Sequence, residues 1–567
     1  MSARRYISVI LPLKLGWEPA YATDDPSLET GDRVAVRFAG VQYVGVVSGP
    51  ADADIDPARI RPILGQETGL ERIAADEIAF WRAIADYYLC TVGEVYKAAY
   101  PARKTEKEEV LARQRIRLQE RLEKRREQLS KARKDETRAR YEAEILALEA
   151  ALSPEAKRAP AALPQPVLDA AQEQSWKAVQ EAFSAGKVTL LTGRSRSGLY
   201  RKAAADTLAR GRSVLLLVPD IALNHRLEAE LSADFGPLLM TYHSGHPAAR
   251  KRAVAESLRR GEPCLVLGTR SALFLPWRKL GLVIVDQEHD PGYKQDSPAP
   301  RYQARDSAVM LASIASCPVL LGSATPSFES LHNAGTGRYC AVPLQENAPA
   351  ASVLLIDSSA ERRKRGMDGE LSRMLLTRIR EQLTAGGQAA VILPRRCRDT
   401  DPGAIENALQ AAFPGIPTLR IDPDPGEEAA KTAFDAFARG AGRLLVCPQA
   451  ALRFWPGEGP GLIAVLQAER LVGGQDFRAD ERALQVLEQL RQRAGAGMLA
   501  LQGALADHAV FRILQGQETV EGRLLEERRR FGYPPFTRLV DIQLRDGNAK
   551  RLDYLARELA ASLPPTI

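Results

Sequence analysis

Two stretches of this chain carry the residue types that handle phosphate. The first, Leu191-Thr192-Gly193-Arg194-Ser195-Arg196-Ser197-Gly198-Leu199-Tyr200, follows the apolar run Val188 to Leu191 and leads into a polar helix. A working phosphate-binding loop reads GxxxxGK[ST]: glycine amides cradle the phosphates, the Lys reaches their β and γ oxygens, and the Ser or Thr hydroxyl holds magnesium. Here Gly193, Ser197 and Gly198 remain, while Leu199 and Tyr200 stand in the Lys and Ser/Thr places, unless that pair has been deleted. The second stretch, Leu282-Val283-Ile284-Val285-Asp286-Gln287-Glu288-His289-Asp290, is a buried-strand pattern ending in acid. In a nucleotide-hydrolysing motor the first Asp of such a run holds magnesium and the Glu after it activates water. Gln287 occupies that Glu position, and an amide cannot accept the water's proton. Asp286, Glu288 and His289 are what is left of the site. His243 and His289 read as hydrogen-bonded structural residues, and no nucleophile or complete metal site is in evidence. The expectation is a nucleotide motor stripped of its catalytic parts.

The elements that must position these loops are legible as apolar runs. Val188 to Leu191, Val214 to Val218, Cys264 to Leu267, Leu282 to Val285 and Val319 to Leu321 alternate with helical segments, the pattern of a parallel α/β sheet. A second series runs through Val353 to Ile356, Ala389 to Leu393, Leu444 to Cys447 and Leu462 to Leu466. Ahead of both, Tyr6 to Leu11, Arg33 to Phe38 and Gln42 to Val47 form short β-rich runs between Gly, Asp and Pro turns, and 71–100 reads as helical. From Lys104 to Leu152 there is no Gly or Pro, and leucines recur at seven and four residues. That marks one apolar stripe on a long charged helix, or on a helical hairpin bent near Lys131 to Glu136. A solvated coiled-coil face is the favoured reading of its charges over a nucleic-acid patch.

Composition bounds the classes. At 567 residues the chain has room for about four domains. Its 45% hydrophobic and 26% charged residues are those of globular chains, and no apolar run approaches the ~20 residues of a membrane helix. Lys14 interrupts the apolar start and no small-residue cleavage site follows, so a signal peptide is rejected and the cytoplasm expected. Six cysteines lie far apart with no CxxC pair, against both a disulfide framework and a zinc site. A net charge of +7 suits a polyanionic partner and simple solubility equally.

The first α/β series carries further motifs: Leu217-Val218-Pro219-Asp220, Tyr242-His243-Ser244-Gly245, Gly268-Thr269-Arg270-Ser271, Tyr293-Lys294-Gln295, Arg301-Tyr302-Gln303-Ala304-Arg305-Asp306 and Leu321-Gly322-Ser323-Ala324-Thr325-Pro326. In this order and spacing they resemble the PriA family of bacterial replication restart helicases, within helicase superfamily 2. The resemblance runs nearly end to end, from Val9-Ile10-Leu11-Pro12-Leu13, Tyr21 and Gly31-Asp32-Arg33-Val34 to Arg528 through Phe536. It implies an N-terminal domain that captures the 3′ end of a strand (1–103), helicase lobe 1 (167–342), lobe 2 (343–510) and the start of an α+β C-terminal domain (511–567). Between the first two the sequence itself places the charged helix (104–152), where the family carries a winged-helix domain, and a Pro/Ala-rich linker (153–166). The expected fold class is α/β, with two tandem parallel-sheet lobes behind a small β-rich DNA-binding domain.

The resemblance also assigns roles. Tyr21, Arg33, Pro219, Thr269, Arg270, Tyr293, Lys294, Arg301, Tyr302 and Arg305 are the expected DNA contacts, with Tyr293, Tyr302 and Phe274 as base-stacking faces, Tyr302 being alternatively a core aromatic. In lobe 2 the closing motif retains Arg493, but Ala496 replaces the arginine that would stabilise a transferred phosphoryl group. The family's cysteine-rich zinc segment has shrunk to a few residues between Arg396 and Ala404 with only Cys397, so no metal is expected, and ATP and magnesium only weakly if at all. Ala20 stands beside Tyr21 where relatives carry a polar residue, which weakens the 3′-end pocket. The reading is a nucleoid-associated protein that binds forked or single-stranded DNA without sequence preference, recruits replication restart proteins and hydrolyses little or no ATP. The alternatives are a working 3′ to 5′ helicase in which Arg194, Arg196 or Lys202 replaces the lost lysine, and a coiled-coil interaction protein.

Overall fold

The computed structural model describes residues 5–51, 60–67, 69–101, 128, 163–164, 166–344, 350–394, 401–422, 426–455, 459–504 and 507–563, without the side chains of 222–226. The expected helix or hairpin at 104–152, nearly all of the 153–166 linker and the Cys397 segment lie outside the described residues. The chain divides into two compact units, 1–348 and 349–567.

The first unit opens with a six-stranded sheet of β1 (Arg5–Ile10), β2 (Ala20–Thr23), β3 (Arg33–Phe38), β4 (Val41–Pro50), β5 (Arg61–Pro62) and β6 (Gly65–Gln66), in the order β5-β2-β1-β4-β3-β6. It is antiparallel apart from the β2–β5 pair. Helices α1 (Ala75–Tyr87) and α2 (Val92–Ala99) follow. The start of α2 is fixed by a capping box, in which Thr91 accepts from the Glu94 amide and the Glu94 carboxylate accepts from the Thr91 amide. These helices share one core with the next sheet: Phe80, Trp81, Val95 and Tyr96 cluster with Leu215, Phe274 and Tyr302, and the Phe80 and Phe274 rings lie 5.7 Å apart.

That next sheet has seven parallel strands, β7 (Val188–Thr192), β8 (Ser213–Leu217), β9 (Leu239–Tyr242), β10 (Leu265–Gly268), β11 (Leu280–Asp286), β12 (Val319–Ser323) and β13 (Tyr339–Pro343), in the order β13-β7-β12-β11-β8-β10-β9. Helices α3 (Ala170–Ser184), α4 (Ser197–Ala209), α5 (Ile221–Phe235), α6 (Ala248–Arg259), α7 (Ala304–Ile314) and α8 (Phe328–Gly335) alternate with the strands. Every residue of β8, β11 and β12 is buried, the condition that makes central parallel strands read as unbroken apolar runs. All strands point the same way, so the loops after β7, β8, β10, β11 and β12 gather at one edge, the usual place for a site in such a sheet.

The second unit repeats the architecture. Strands β14 (Ser352–Asp357), β17 (Ala389–Leu393), β18 (Thr418–Arg420), β19 (Leu444–Pro448), β20 (Leu462–Leu466) and β21 (Met498–Gly503) form a parallel sheet in the order β14-β21-β20-β17-β19-β18, beside a small β15–β16 hairpin (Met367–Asp368, Leu371–Ser372). The expected pair of parallel-sheet lobes is thus present. Toward the C-terminus, the run 537–547 joins no sheet among the described residues, and the helix Ala549–Ser562 buries none of its residues.

Candidate nucleotide and nucleic-acid sites

The loop after β7 turns at Gly193, whose φ of +120° favours glycine, and the Gly193 amide donates to Ser323 O at 3.2 Å. Leu199, in the place of the phosphate-binding lysine, is completely buried in the apolar core under α4. Tyr200, in the magnesium-ligand place, turns inward at 7% exposure, and its hydroxyl donates to Asp286 Oδ1 at 2.9 Å. Arg196 also points inward. Its Nη2 and Nε donate to Asp286 Oδ1 at 2.9 and 3.2 Å, its Nε donates to Tyr200 Oη at 3.0 Å, and its Nη1 donates to the Gly193 carbonyl. Ser197 stays exposed at the helix start and Gly198 is half-buried.

Asp286 is therefore taken by the chain's own cation and phenol, and the residues present do not fit a magnesium nucleotide. No ammonium or small hydroxyl stands in the loop's last two places, and Gln287 cannot act as a base. Of the three substitutes considered for the lost lysine, Arg196 is engaged as above and Lys202 is in an ion pair with Asp206 at 2.8 Å, while Arg194 is half-buried in the same loop.

The rest of the second motif is bound inward. Gln287 sits in a left-handed turn (φ +50°), and the Glu288 amide that follows donates to Gly322 O. Glu288 is fully buried, and its carboxylate accepts from the Ser327 amide (2.6 Å), Ser327 Oγ and Ser330 Oγ (2.9 Å each) and Arg305 Nη1 (3.2 Å). His289 Nδ1 lies 2.7 Å from Ser323 Oγ and Nε2 lies 3.3 Å from Thr325 Oγ1; burial lowers the imidazole pKa, which favours the neutral ring. Asp290 caps the following turn through the Gly292 amide. In the second unit, Arg493 donates to the Trp455 carbonyl at 2.9 Å and lies over the Trp455 ring, while Ala496 is exposed.

Of the expected DNA contacts, several turn inward. Tyr293 and Tyr302 are 0% and 2% exposed, and Phe274 is buried against Tyr302, so Tyr302 is the core aromatic of the alternative reading, and the stacking expectation for Tyr293 and Phe274 is corrected: none presents a face to a base. Tyr293 Oη lies 2.9 Å from Leu217 O and 2.5 Å from Asp286 O, and Tyr302 Oη donates to Arg270 O at 3.2 Å. Arg305 belongs to the Glu288 network and is also 2.7 Å from Asp306. Thr269 is buried. In the N-terminal sheet Tyr21 is buried with its hydroxyl donating to Arg37 O, and burial raises its phenol pKa while Arg61 partly offsets this. Arg33 is buried with its guanidinium over the Tyr96 and Tyr100 rings, at 5.3 and 5.0 Å. Each is turned inward by partners distant in sequence, which spacing does not reveal: Tyr21 by the core of the N-terminal sheet, Arg33 by the rings of Tyr96 and Tyr100, Tyr293, Tyr302 and Phe274 by the core that α1 and α2 share with lobe 1, and Arg305 by Glu288 and Ser327.

Lys294 and Arg301 are exposed, and Pro219 and Arg270 half-buried. Arg270 Nη1 donates to Gly292 O (3.0 Å) and Lys294 O (2.8 Å), so it clasps the 290–303 segment to the loop after β10. Lys294 lies over the Tyr88 ring, and Tyr88 Oη donates to Gln303 O at 3.2 Å, tying the same segment to the end of α1. Tyr88, Arg196, Gly322 and Ser327 were not singled out for these roles from the sequence. Only the four-residue spacing of Arg196 and Tyr200, which sets them on one helix face, was a local signal.

Residues 8–101 match the family model of the PriA 3′DNA-binding domain (3′BD). The chain is 30% identical to replication restart protein PriA of Chlamydia pneumoniae over 425 residues, 62% of this chain and 56% of that protein. It is 28% identical to the Synechocystis protein of the same name over 71% of this chain and 58% of that one, and 25% identical to that of Rickettsia conorii over 70% and 72%. It spans little more than half the length of the first two. Among solved structures, RecG bound to a three-way DNA junction is 16% identical with a TM-score of 0.40, covering 70% of this chain and 50% of that one.

Proposed function

Starting from this kinship with the replication restart proteins PriA, we propose that the chain binds forked or single-stranded DNA without reading its sequence, helps reload the replication machinery with other restart proteins, and hydrolyses little or no ATP. The observation that carries the reading is the 3′DNA-binding domain match over residues 8–101, on a folded sheet whose helices share a core with the first α/β lobe. That shared core makes the N-terminal domain and lobe 1 one solid support for a DNA strand. The exposed Lys294 and Arg301 supply backbone-phosphate contacts of the kind that position a protein on DNA.

Loss of hydrolysis is supported by Leu199, Tyr200 and Gln287 in the three places the chemistry needs. Against the 3′ to 5′ helicase alternative, two of its three substitutes for the lysine, Arg196 and Lys202, are held by Asp286 and Asp206. For zinc, Cys397 has no second cysteine near it in sequence, which supports a zinc-free protein; elemental analysis finding one zinc per chain would refute it. No helix among the described residues is long and apolar enough to cross a membrane, and we place the protein at the nucleoid in the cytoplasm.

The test is a fluorescence titration of fork, single strand and blunt duplex at several salt concentrations. Log affinity should fall linearly with log salt, by about 0.7 per single-strand phosphate neutralised. Absence of binding to all three at low salt would remove the proposal.

A further inference from the structure

Three strands end around one buried carboxylate. Asp286 closes β11, which lies between β8 and β12 in the sheet; β12 carries Gly322, and beyond it β7 leads into Gly193. Arg196 and Tyr200, at the start of α4, bring a guanidinium and a phenol to the same oxygen of Asp286, while Arg196 also holds the Gly193 carbonyl. The space they fill exists because residue 322 has no side chain: a Cβ there would lie 1.5 Å from Tyr200 Oη and 3.1 Å from Arg196 Cδ. Arg196 and Tyr200 are themselves 9% and 7% exposed. A carboxylate taken out of water must be paired and hydrogen-bonded, and here every partner in reach is the chain's own.

A loop of this kind, when it works, leaves that space to phosphate and its metal ion. We infer that Arg196 is a resident counter-ion in place of magnesium, and that Arg196, Tyr200 and Gly322 convert the former nucleotide site into a permanent interlock joining the ends of β7, β11 and β12. A cation tethered by a covalent bond cannot dissociate or exchange, so the state of this lobe is fixed by the sequence and is not set by nucleotide. The inference stands on lobe 1 alone and does not require that the protein binds DNA.

The experiment is thermal unfolding of the full chain with and without millimolar magnesium chloride, magnesium-ADP and magnesium-ATP, on the wild type and on Arg196→Ala, Arg196→Lys, Asp286→Asn and the double variant Arg196→Ala/Asp286→Asn. The wild-type melting temperature should not respond to any additive. Arg196→Ala should lower it by on the order of 10 °C, the scale for stripping a buried carboxylate of its partner. Arg196→Lys should fall between it and the wild type. Adding Asp286→Asn to Arg196→Ala should recover more than half of the Arg196→Ala loss, since an amide needs no counter-ion. A wild-type rise of several degrees with magnesium nucleotide would show an open site and overturn the inference. So would an unchanged Arg196→Ala, or a double variant no more stable than Arg196→Ala. If Arg196→Ala does not fold, the wild-type additives and Arg196→Lys decide, the latter overturning the interlock if it melts like the wild type. Failure of the DNA titration would leave these outcomes untouched.

Discussion

Arg196 and Asp286 stand 90 positions apart in the chain, and their side chains meet at 2.9 Å in the interior of the first lobe. The contact joins the two stretches that in a working motor would be joined by a nucleotide and its metal. Around it, Glu288, His289 and Asp290 all face partners from the same lobe, so the edge of the sheet is a closed polar network.

Gly322→Ala should be among the most destabilising small substitutions in the chain. The added methyl group would overlap Tyr200 Oη, and overpacking of a core costs about 1–3 kcal/mol, occasionally more. In the Tyr200→Ala background the same substitution should cost much less, a non-additivity measurable by a double-mutant cycle in denaturant. Equal costs in both backgrounds would place the tyrosine elsewhere.

Arg305→Ala should act through stability alone. The arginine is buried and donates to Glu288, Ser327 and Asp306, and removing one side of a buried ion pair costs about 3–5 kcal/mol. The salt slope of DNA binding, measured below the unfolding temperature, should be unchanged. A reduced slope would return Arg305 to the DNA surface.

Arg301→Ala, by contrast, removes an exposed cation. It should weaken binding of all sequences by a similar factor, lower the salt slope by about 0.7, and leave stability within about 0.5 kcal/mol of the wild type. Arg270→Ala should instead cost about 1–3 kcal/mol, because it leaves the Gly292 and Lys294 carbonyls without their donor.

The His243 and His246 rings lie 3.6 Å apart, and burial, with Arg250 and His243 adding to it, pushes the His246 pKa down to about 4. A histidine depressed in the folded state keeps its full contribution above the unfolded value, near 6.5, and loses it as pH falls toward 4. The melting temperature should therefore drop over that window, and less steeply in His246→Gln. Parallel pH profiles of the two proteins would contradict this.

How much of this was legible in sequence depended on the range of the interactions. Central strands such as Ala389–Leu393 and Leu462–Leu466 announce themselves as apolar runs because both faces are covered. Short edge strands such as Leu239–Tyr242 and Thr418–Arg420 do not, being only partly buried. The damage to the nucleotide motifs could be read residue by residue at Leu199, Tyr200 and Gln287. What fills the gap could not, since the place of Tyr200 depends on the absent side chain of Gly322, more than a hundred residues on. The same limit governed the aromatics: Tyr293 and Tyr302 look like stacking faces in a polar loop, and only the packing of Phe274 and the helices above it turns them inward.

The central claim, DNA binding uncoupled from ATP turnover, is tested most directly by measuring fork binding and fork-stimulated ATP hydrolysis on the same preparation at low salt. Saturable, salt-sensitive fork binding is expected, with phosphate release no faster than in the absence of protein. Hydrolysis that rises with added fork, or a fork that does not bind at all, would contradict it.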